Sequence, residues 1–351
     1  MIKVLSRLIL FSLFLFKVSR QDGFQKDLDT NLPFPPTLEF RSGIPTGHLR
    51  PLGWQNRPES AVNEESVSLQ PEQFWDLYVN LSKPTVIRGL ILGSEPTDRW
   101  TDNYLNKNFG KSDIKVMRRV QKQKSIEETN LQMTFKSFLQ GYRVEDWYLR
   151  GIMPKEMFEE VPIPHIVNCG ALIQEPKIAQ LIEPYLWMSA GETSSLLHSH
   201  PEHNLHCVLD GRKDFILIPS EQFGSNSEWK KTLGMYETYA HSSEWYSKID
   251  VNMVNAFKYD LSKLVWYWAL LRAGDCVYIP ADYLHQVRSH GRSISSSVYF
   301  TPLQSESKDE EYLSSIKKKS SANARKTRPC SSLLRALGRT LCGFIRIASD
   351  I

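Results

Sequence analysis

Three histidines carry the most specific chemistry in the chain. His198 and His200 stand one residue apart, and His285 lies far downstream, closing the stretch Gly274-Asp275-Cys276-Val277-Tyr278-Ile279-Pro280-Ala281-Asp282-Tyr283-Leu284-His285. Residues i and i+2 of a strand point to one face, so the first two imidazoles can converge on one ion while Ser199 faces away. A third ligand must come from elsewhere in the fold. The apolar run Cys276 to Ile279 follows a Gly-Asp turn and reads as a buried strand, which could set His285 against the pair across a small barrel. Three protein ligands leave a metal open positions, as catalysis requires. His203 and His206 enlarge the cluster, but Pro201 breaks the strand register after His200, so they are expected behind the ligands or on the surface.

The residues around the pair resemble Jumonji-C (JmjC) proteins of the cupin superfamily, in particular the protein-hydroxylase branch. The resemblance is carried by Gly191, Ser195, Asn204, the Asp210-Gly211 turn and Lys213, by the run Gly274 to His285, and by three earlier stretches. These are Lys83 to Gly89, similar to the family's early strand, Met133 to Leu139, similar to its helix, and Trp147 to Leu149, similar to the strand that follows. It spans about residues 70 to 302. It implies a mainly β fold, a double-stranded β-helix (jelly-roll or cupin) barrel with flanking helices, that binds Fe(II) and 2-oxoglutarate.

In that frame His198, His200 and His285 are the metal ligands. Positions matching Tyr148, Ser195 and Lys213 donate hydrogen bonds to 2-oxoglutarate, the lysine to its distal carboxylate, and Asn204 lies in or behind the pocket. On the residues alone, Lys213 reads either as a buried carboxylate receptor or as a solvated hairpin residue beside Arg212. One position departs from the family. Its enzymes carry His-X-Asp or His-X-Glu at the first pair, and this chain has His200 where the carboxylate is expected. A neutral imidazole there removes one negative charge from the metal. Other cupins have His-X-His followed by Glu and Gly, with Asn204 here at the Glu position before Gly211. Two functions are therefore expected in competition: a protein-hydroxylating oxygenase, or a catalytically inactive metal-binding or scaffold protein.

The elements that must position these groups occupy the middle of a 351-residue chain, 41% hydrophobic, long enough to bury a substantial core as one unit. Residues 1–20 have the layout of a secretory signal peptide, with a basic start, an apolar run from Leu8 to Phe16 and a polar end. The run is too short to span a bilayer by itself, although the absence of a clean small-X-small cleavage pattern leaves an uncleaved anchor as the alternative. The expected destination is the endoplasmic reticulum lumen or the exterior, and Asn80-Leu81-Ser82 is a glycosylation sequon consistent with it. Residues 21–65 are Pro-rich and polar, an extended arm rather than a packed element. The JmjC-like domain covers 66–302, and 303–351 form a basic tail.

In the domain, Pro71 is expected to start a helix that places Phe74, Leu77 and Tyr78 on one face. Residues 219–273 read as an insertion over the barrel mouth, and Tyr246 to Asp250 within it also resembles the hydroxylase branch. The formal charge of +4 is misleading. Residues 1–20 and 317–351 supply thirteen basic groups and one acidic, leaving 30 basic against 38 acidic in the body. Nothing in that balance suggests a nucleic-acid surface, and a protein substrate is expected instead. Cys169, Cys207, Cys276, Cys330 and Cys342 are too few and scattered for a disulfide scaffold. Cys207 and Cys276 fall on strands and read as small core residues, while Cys330 or Cys342 could form a bridge. In the tail, Leu333, Leu337, Leu341, Phe344 and Ile345 recur at helical spacing among arginines, a basic amphipathic helix suited to a partner, a dimer or an anionic membrane surface.

Overall fold

A computed structural model describes residues 34–37, 49–118 and 130–302, apart from 146, 162, 168–177, 183, 192, 223–230, 232 and 238–244. The expected leader, the tail with its helix, and Cys169, Cys330 and Cys342 lie outside the described residues. The strands that matter for the site are β1 (Thr85–Arg88), β2 (Asp113–Arg118), β3 (Asn130–Thr134), β4 (Trp147–Ile152), β5 (Tyr185–Ser189), β6 (His198–Ser199), β7 (His203–Ile218), β8 (Trp245–Ser247), β9 (Tyr267–Arg272), β10 (Cys276–Ile279) and β11 (Leu284–Pro302). They belong to one mixed sheet with the hydrogen-bonded path β1-β10-β7-β11-β5-β4-β2-β3, and β9 pairs with β7 while β6 pairs with both β11 and β8.

The long strands β7 and β11 run antiparallel to each other along nearly their whole length. Their register shifts between Val208 and Asp210 and again between Asp210 and Arg212, so both bend together. Before the bend β7 pairs with β10, and after it with β9. Each strand therefore passes from one wall of a barrel to the other, which is the construction of a jelly roll. Gly211 sits at the bend with φ +80°, and a Cβ there would collide with the carbonyl oxygen of Arg292. The guanidinium of Arg292 ties the corner by pairing with Asp210 and, at 2.8 Å, with Asp102. The Asp210-Gly211 pair is thus a bulge inside a continuous strand rather than a hairpin turn. Lys213, which a hairpin would have left near solvent, is 1% exposed.

Burial along β7 is almost continuous because both faces are covered. Val208, Phe215, Leu217, Val277 and Ile279 fill part of the barrel interior, while Leu205, Cys207, Cys276 and Tyr278 pack outward against Phe74, Trp75 and the other residues of the helical side. The first helix begins at Pro71 as expected, then widens into a π-helix over Trp75–Val79. The wider turn carries Leu77 away from the core. It is 48% exposed, and Trp75 and Val79 are buried instead.

Three further expectations are corrected. The arm is packed from residue 49 onward: Leu49–Arg50, Ser60–Ala61 and Asn63–Ser66 pair respectively with Val254–Asn255, β9 and β1, covering backbone edges that would otherwise be unpaired. The supposed insertion is shorter than 219–273, because Tyr267–Arg272 is the barrel strand β9. Cys207 and Cys276 are joined in a disulfide between directly opposed positions of β7 and β10. For a 69-residue separation, cross-linking removes chain entropy from the unfolded state worth about 4 kcal/mol. Replacing both cysteines by alanine should lower the unfolding free energy by about that amount, read from denaturant midpoints together with m, which should rise as the unfolded chain is freed.

Candidate metal centre

The three histidines meet inside the barrel. His198 on β6 pairs directly with His285 on β11, and His200 follows β6 by one residue. Their ring centres lie 4.2 Å apart for His198 and His285, 5.0 Å for His200 and His285, and 6.4 Å for His198 and His200. An ion held by nitrogens at roughly 2.1 Å lies about 3.3 Å from each ring centre, so ligands at right angles have centres about 4.6 Å apart. The two contacts of His285 match that spacing and the third is wide. As the side chains stand, no three His, Cys, Asp or Glu residues among the described residues form a closed metal site.

The hydrogen bonds around the rings nevertheless select one nitrogen on each. Nδ1 of His198 bonds the carbonyl of Leu196 at 2.8 Å, that of His200 the carbonyl of Glu202 at 2.9 Å, and that of His285 the carbonyl of Tyr283 at 3.0 Å. A carbonyl oxygen only accepts, so each Nδ1 carries the hydrogen and each Nε2 keeps a lone pair. Metal-binding histidines are oriented in this way. Nε2 of His200 is buried with no hydrogen-bond partner among the described residues. Desolvation, then the neighbouring imidazoles, depresses the pKa of His200 and of His285 to about 3, which keeps both neutral. The donor set therefore fits a divalent ion in chemistry, and His198 and His200 would have to draw together for adjacent coordination.

Rigid neighbours hold the rings. Tyr246 of β8 pairs with His198 across the strands and stacks on its ring at 5.5 Å, and Tyr299 of β11 meets His200 edge-on at 5.0 Å. Glu202 brings a carboxylate oxygen to 4.0 Å from Nδ1 of His200, on the side of the ring away from a metal. It can polarise that imidazole without replacing the missing ligand.

The co-substrate residues expected from the sequence divide. Lys213 is fully buried, makes no hydrogen bond or ion pair with the described residues, and has its pKa lowered to about 7 by desolvation. On β11 it pairs with Ser289, two steps along the same face from Val287 and four from His285. Tyr148 of β4 lies against Trp187 of β5, whose ring in turn approaches His206 at 6.4 Å. Asn204 is buried and its Oδ1 is without a partner among the described residues. Ser195 is engaged differently: its hydroxyl accepts the backbone N–H of Val287 at 2.9 Å, pinning the loop before β6 to β11. One hydroxyl proton is left for donation.

His203 and His206 are both buried, so neither is a surface group. His203 stacks on Tyr278 and Phe300. His206 faces the interior, two residues from Asn204 on the same strand face, a position that alternation along β7 could have found. Sequence reasoning also missed Arg150, Trp187, Ser297 and Tyr299, because their places depend on long-range strand register. The guanidinium of Arg150 lies over the Trp187 ring at 5.3 Å, and its charge opposes protonation of His200 and His285.

The family described as the cupin-like domain matches residues 71–306 of this chain, about two thirds of its length. The chain is a JmjC protein of the cupin superfamily. Among curated proteins, the JmjC chain is 31% identical over 118 residues to Jumonji C domain-containing protein 5 of Drosophila melanogaster, covering 32% of this chain and 26% of that protein. It is 23% identical over 239 residues to Lysine-specific demethylase 8 of Xenopus tropicalis, covering 66% and 51%. It is 27% identical over 152 residues to JmjC domain-containing protein D of Dictyostelium discoideum, covering 40% and 32%. The JmjC chain thus spans between a quarter and about half of the length of these relatives.

The buried imidazoles have a consequence for stability. His203 is held near pKa 4, and His200 and His285 near 3, all by desolvation, against 6.5 for an ordinary histidine. Below 6.5 the unfolded chain takes up protons that the folded chain refuses, so the contribution is complete above that pH and lost as pH falls toward 4. Unfolding free energy of the metal-free protein should decline from pH 6.5 to 4. His203→Gln should reduce the slope by about 1.4 kcal/mol per pH unit, measured by denaturant titration at each pH.

Proposed function

We propose that this protein is an Fe(II)- and 2-oxoglutarate-dependent oxygenase that hydroxylates a protein side chain in the secretory pathway. The carrying observation is the set of three histidines, His200 and His285 buried and His198 partly so, whose Nδ1 hydrogens are all given to backbone carbonyls, in one interior with an ammonium, Lys213, that has no partner among the described residues. JmjC homologues depend on Fe(II) and 2-oxoglutarate in general. When bound, these supply the oxidative decarboxylation that drives hydroxylation. His198, His200 and His285 would hold the ion through Nε2. Lys213 would receive the distal carboxylate, and Tyr148 and Asn204 would line the pocket beside it. Leu217 and Phe215, on the same face as His285 and Lys213, exclude water from the interior.

His200 supports a competing reading, a barrel that binds metal without turnover. With an imidazole in place of a carboxylate, less negative charge attracts and neutralises the ion, and affinity for a hard cation falls. The two readings separate in one assay. Full-length protein loaded with Fe(II) should convert 2-oxoglutarate to succinate, and His285→Ala should lose bound iron together with at least tenfold of that turnover. Iron retained by wild type with no succinate, and turnover appearing only in His200→Asp, would establish the inactive reading.

The secretory assignment is supported by three independent features: the apolar run Leu8 to Phe16, the buried Cys207–Cys276 bridge, and the exposed Asn80 of the sequon. Expressed through a eukaryotic secretory route, the protein should shift in mobility on glycosidase treatment, and Asn80→Gln should abolish the shift. Under denaturation without reductant, Cys207 and Cys276 should resist alkylation. Full labelling of both thiols with no glycan would overturn the assignment.

A further inference from the structure

We propose that His206 is a second donor, beside Lys213, in a carboxylate receptor on the inner wall of the barrel. The inference rests on the 2-oxoglutarate reading and adds to it a residue that the family resemblance does not assign. Indole Nε1 can only donate, and Trp187 donates to Oγ of Ser297 at 3.0 Å. The Ser297 hydroxyl is fully buried and has one proton, and its other bonded neighbour is Nδ1 of His206 at 2.8 Å. If His206 donated to Ser297, the serine proton would have no bonded acceptor among the described residues. The arrangement that satisfies the chain runs from Trp187 N–H to Ser297 Oγ and from Ser297 O–H to His206 Nδ1. The hydrogen of His206 then sits on Nε2, the reverse of the three metal-facing histidines.

That Nε2 is buried with no partner among the described residues. The His206 ring lies in the interior near Lys213, whose charge lowers its proton affinity after desolvation has done so. Phe215, two residues from Lys213 on the same strand face, packs edge-on to His206 at 5.3 Å. An ammonium and a neutral N–H therefore stand together, both donors, in a buried interior. A ligand end that accepts from both and offers no hydrogen of its own is required, and a carboxylate meets that requirement. An amide or hydroxyl brings its own donor to a wall that has donors already.

Titration calorimetry of the full-length, metal-free protein with 2-oxoglutarate, and with glutarate as the bare dicarboxylate, tests the inference. His206→Phe should weaken both by roughly tenfold to a hundredfold, the value of a hydrogen bond to a charged group, and His206→Gln, which keeps a donor, should recover most of the loss. Equal binding by wild type and His206→Phe would overturn the role of His206 while leaving the carboxylate site in place. Failure of wild type to bind either ligand would overturn both. Nitrogen-15 spectra of the imidazoles give a readout independent of any variant's folding. They should show the hydrogen on Nε2 of His206 and on Nδ1 of His285, and a hydrogen on Nδ1 of His206 refutes the proposal.

Discussion

The antiparallel pairing of β7 with β11, carried through a shared bend, is the constraint on which everything else depends. It is the pairing that sets Lys213 opposite Ser289 and Leu217 opposite His285 on one wall, and His206 opposite Ser297 and Asn204 opposite Tyr299 on the other. Because side chains alternate with period two, a slip of one residue would turn all of these outward. The bulge at Asp210 and Gly211 changes that parity once, so that even-numbered residues before it and odd-numbered residues after it share the interior. Arg292 bound to Asp210 and Asp102 fixes the place where the change occurs.

That parity change also explains which parts of the site were legible in the sequence. His198, His200 and His285 could be read because a two-residue spacing and a downstream motif are local signals. Lys213 was ambiguous, since an Asp-Gly pair signals a hairpin as readily as a bulge, and only the partner strand decides between them. The barrel itself was legible, whereas the Cys207–Cys276 bridge was not. Two cysteines on strands become bonded only if the register sets them opposite each other, and that register is a property of the whole sheet. Leu77 illustrates the same limit at short range: the apolar spacing suits an α-helix, but the backbone widens to a π-helix and buries Trp75 and Val79 instead.

Electrostatics distinguish this interior from one with a carboxylate ligand. The described residues place positive charge from Arg150 and Lys213 near the neutral imidazoles of His200, His285 and His206, and the carboxylate of Glu202 stands behind the His200 ring at 4.0 Å. A dication entering alone finds weak compensation there. An anionic ligand finds donors that have no other partner among the described residues, and its own charge then supplies what position 200 lacks. Binding of cation and anion is expected to be mutually reinforcing, because any coupling between two sites is reciprocal.

The histidines themselves show how one side chain acquires opposite roles without any change in its own chemistry. A backbone carbonyl beside Nδ1 can only accept, which forces the hydrogen onto Nδ1 and leaves a lone pair on Nε2 for a metal. A serine hydroxyl beside Nδ1 that already accepts from an indole finds an acceptor for its own proton among the described residues only at Nδ1, which puts the hydrogen on Nε2. Which nitrogen of each imidazole faces the interior as a lone pair and which as a donor is therefore set one layer behind the rings, by Leu196, Glu202 and Tyr283 for three of them and by Ser297 and Trp187 for His206. Replacing a ligand removes one donor, whereas altering Ser297 or Trp187 changes what an intact histidine can bind.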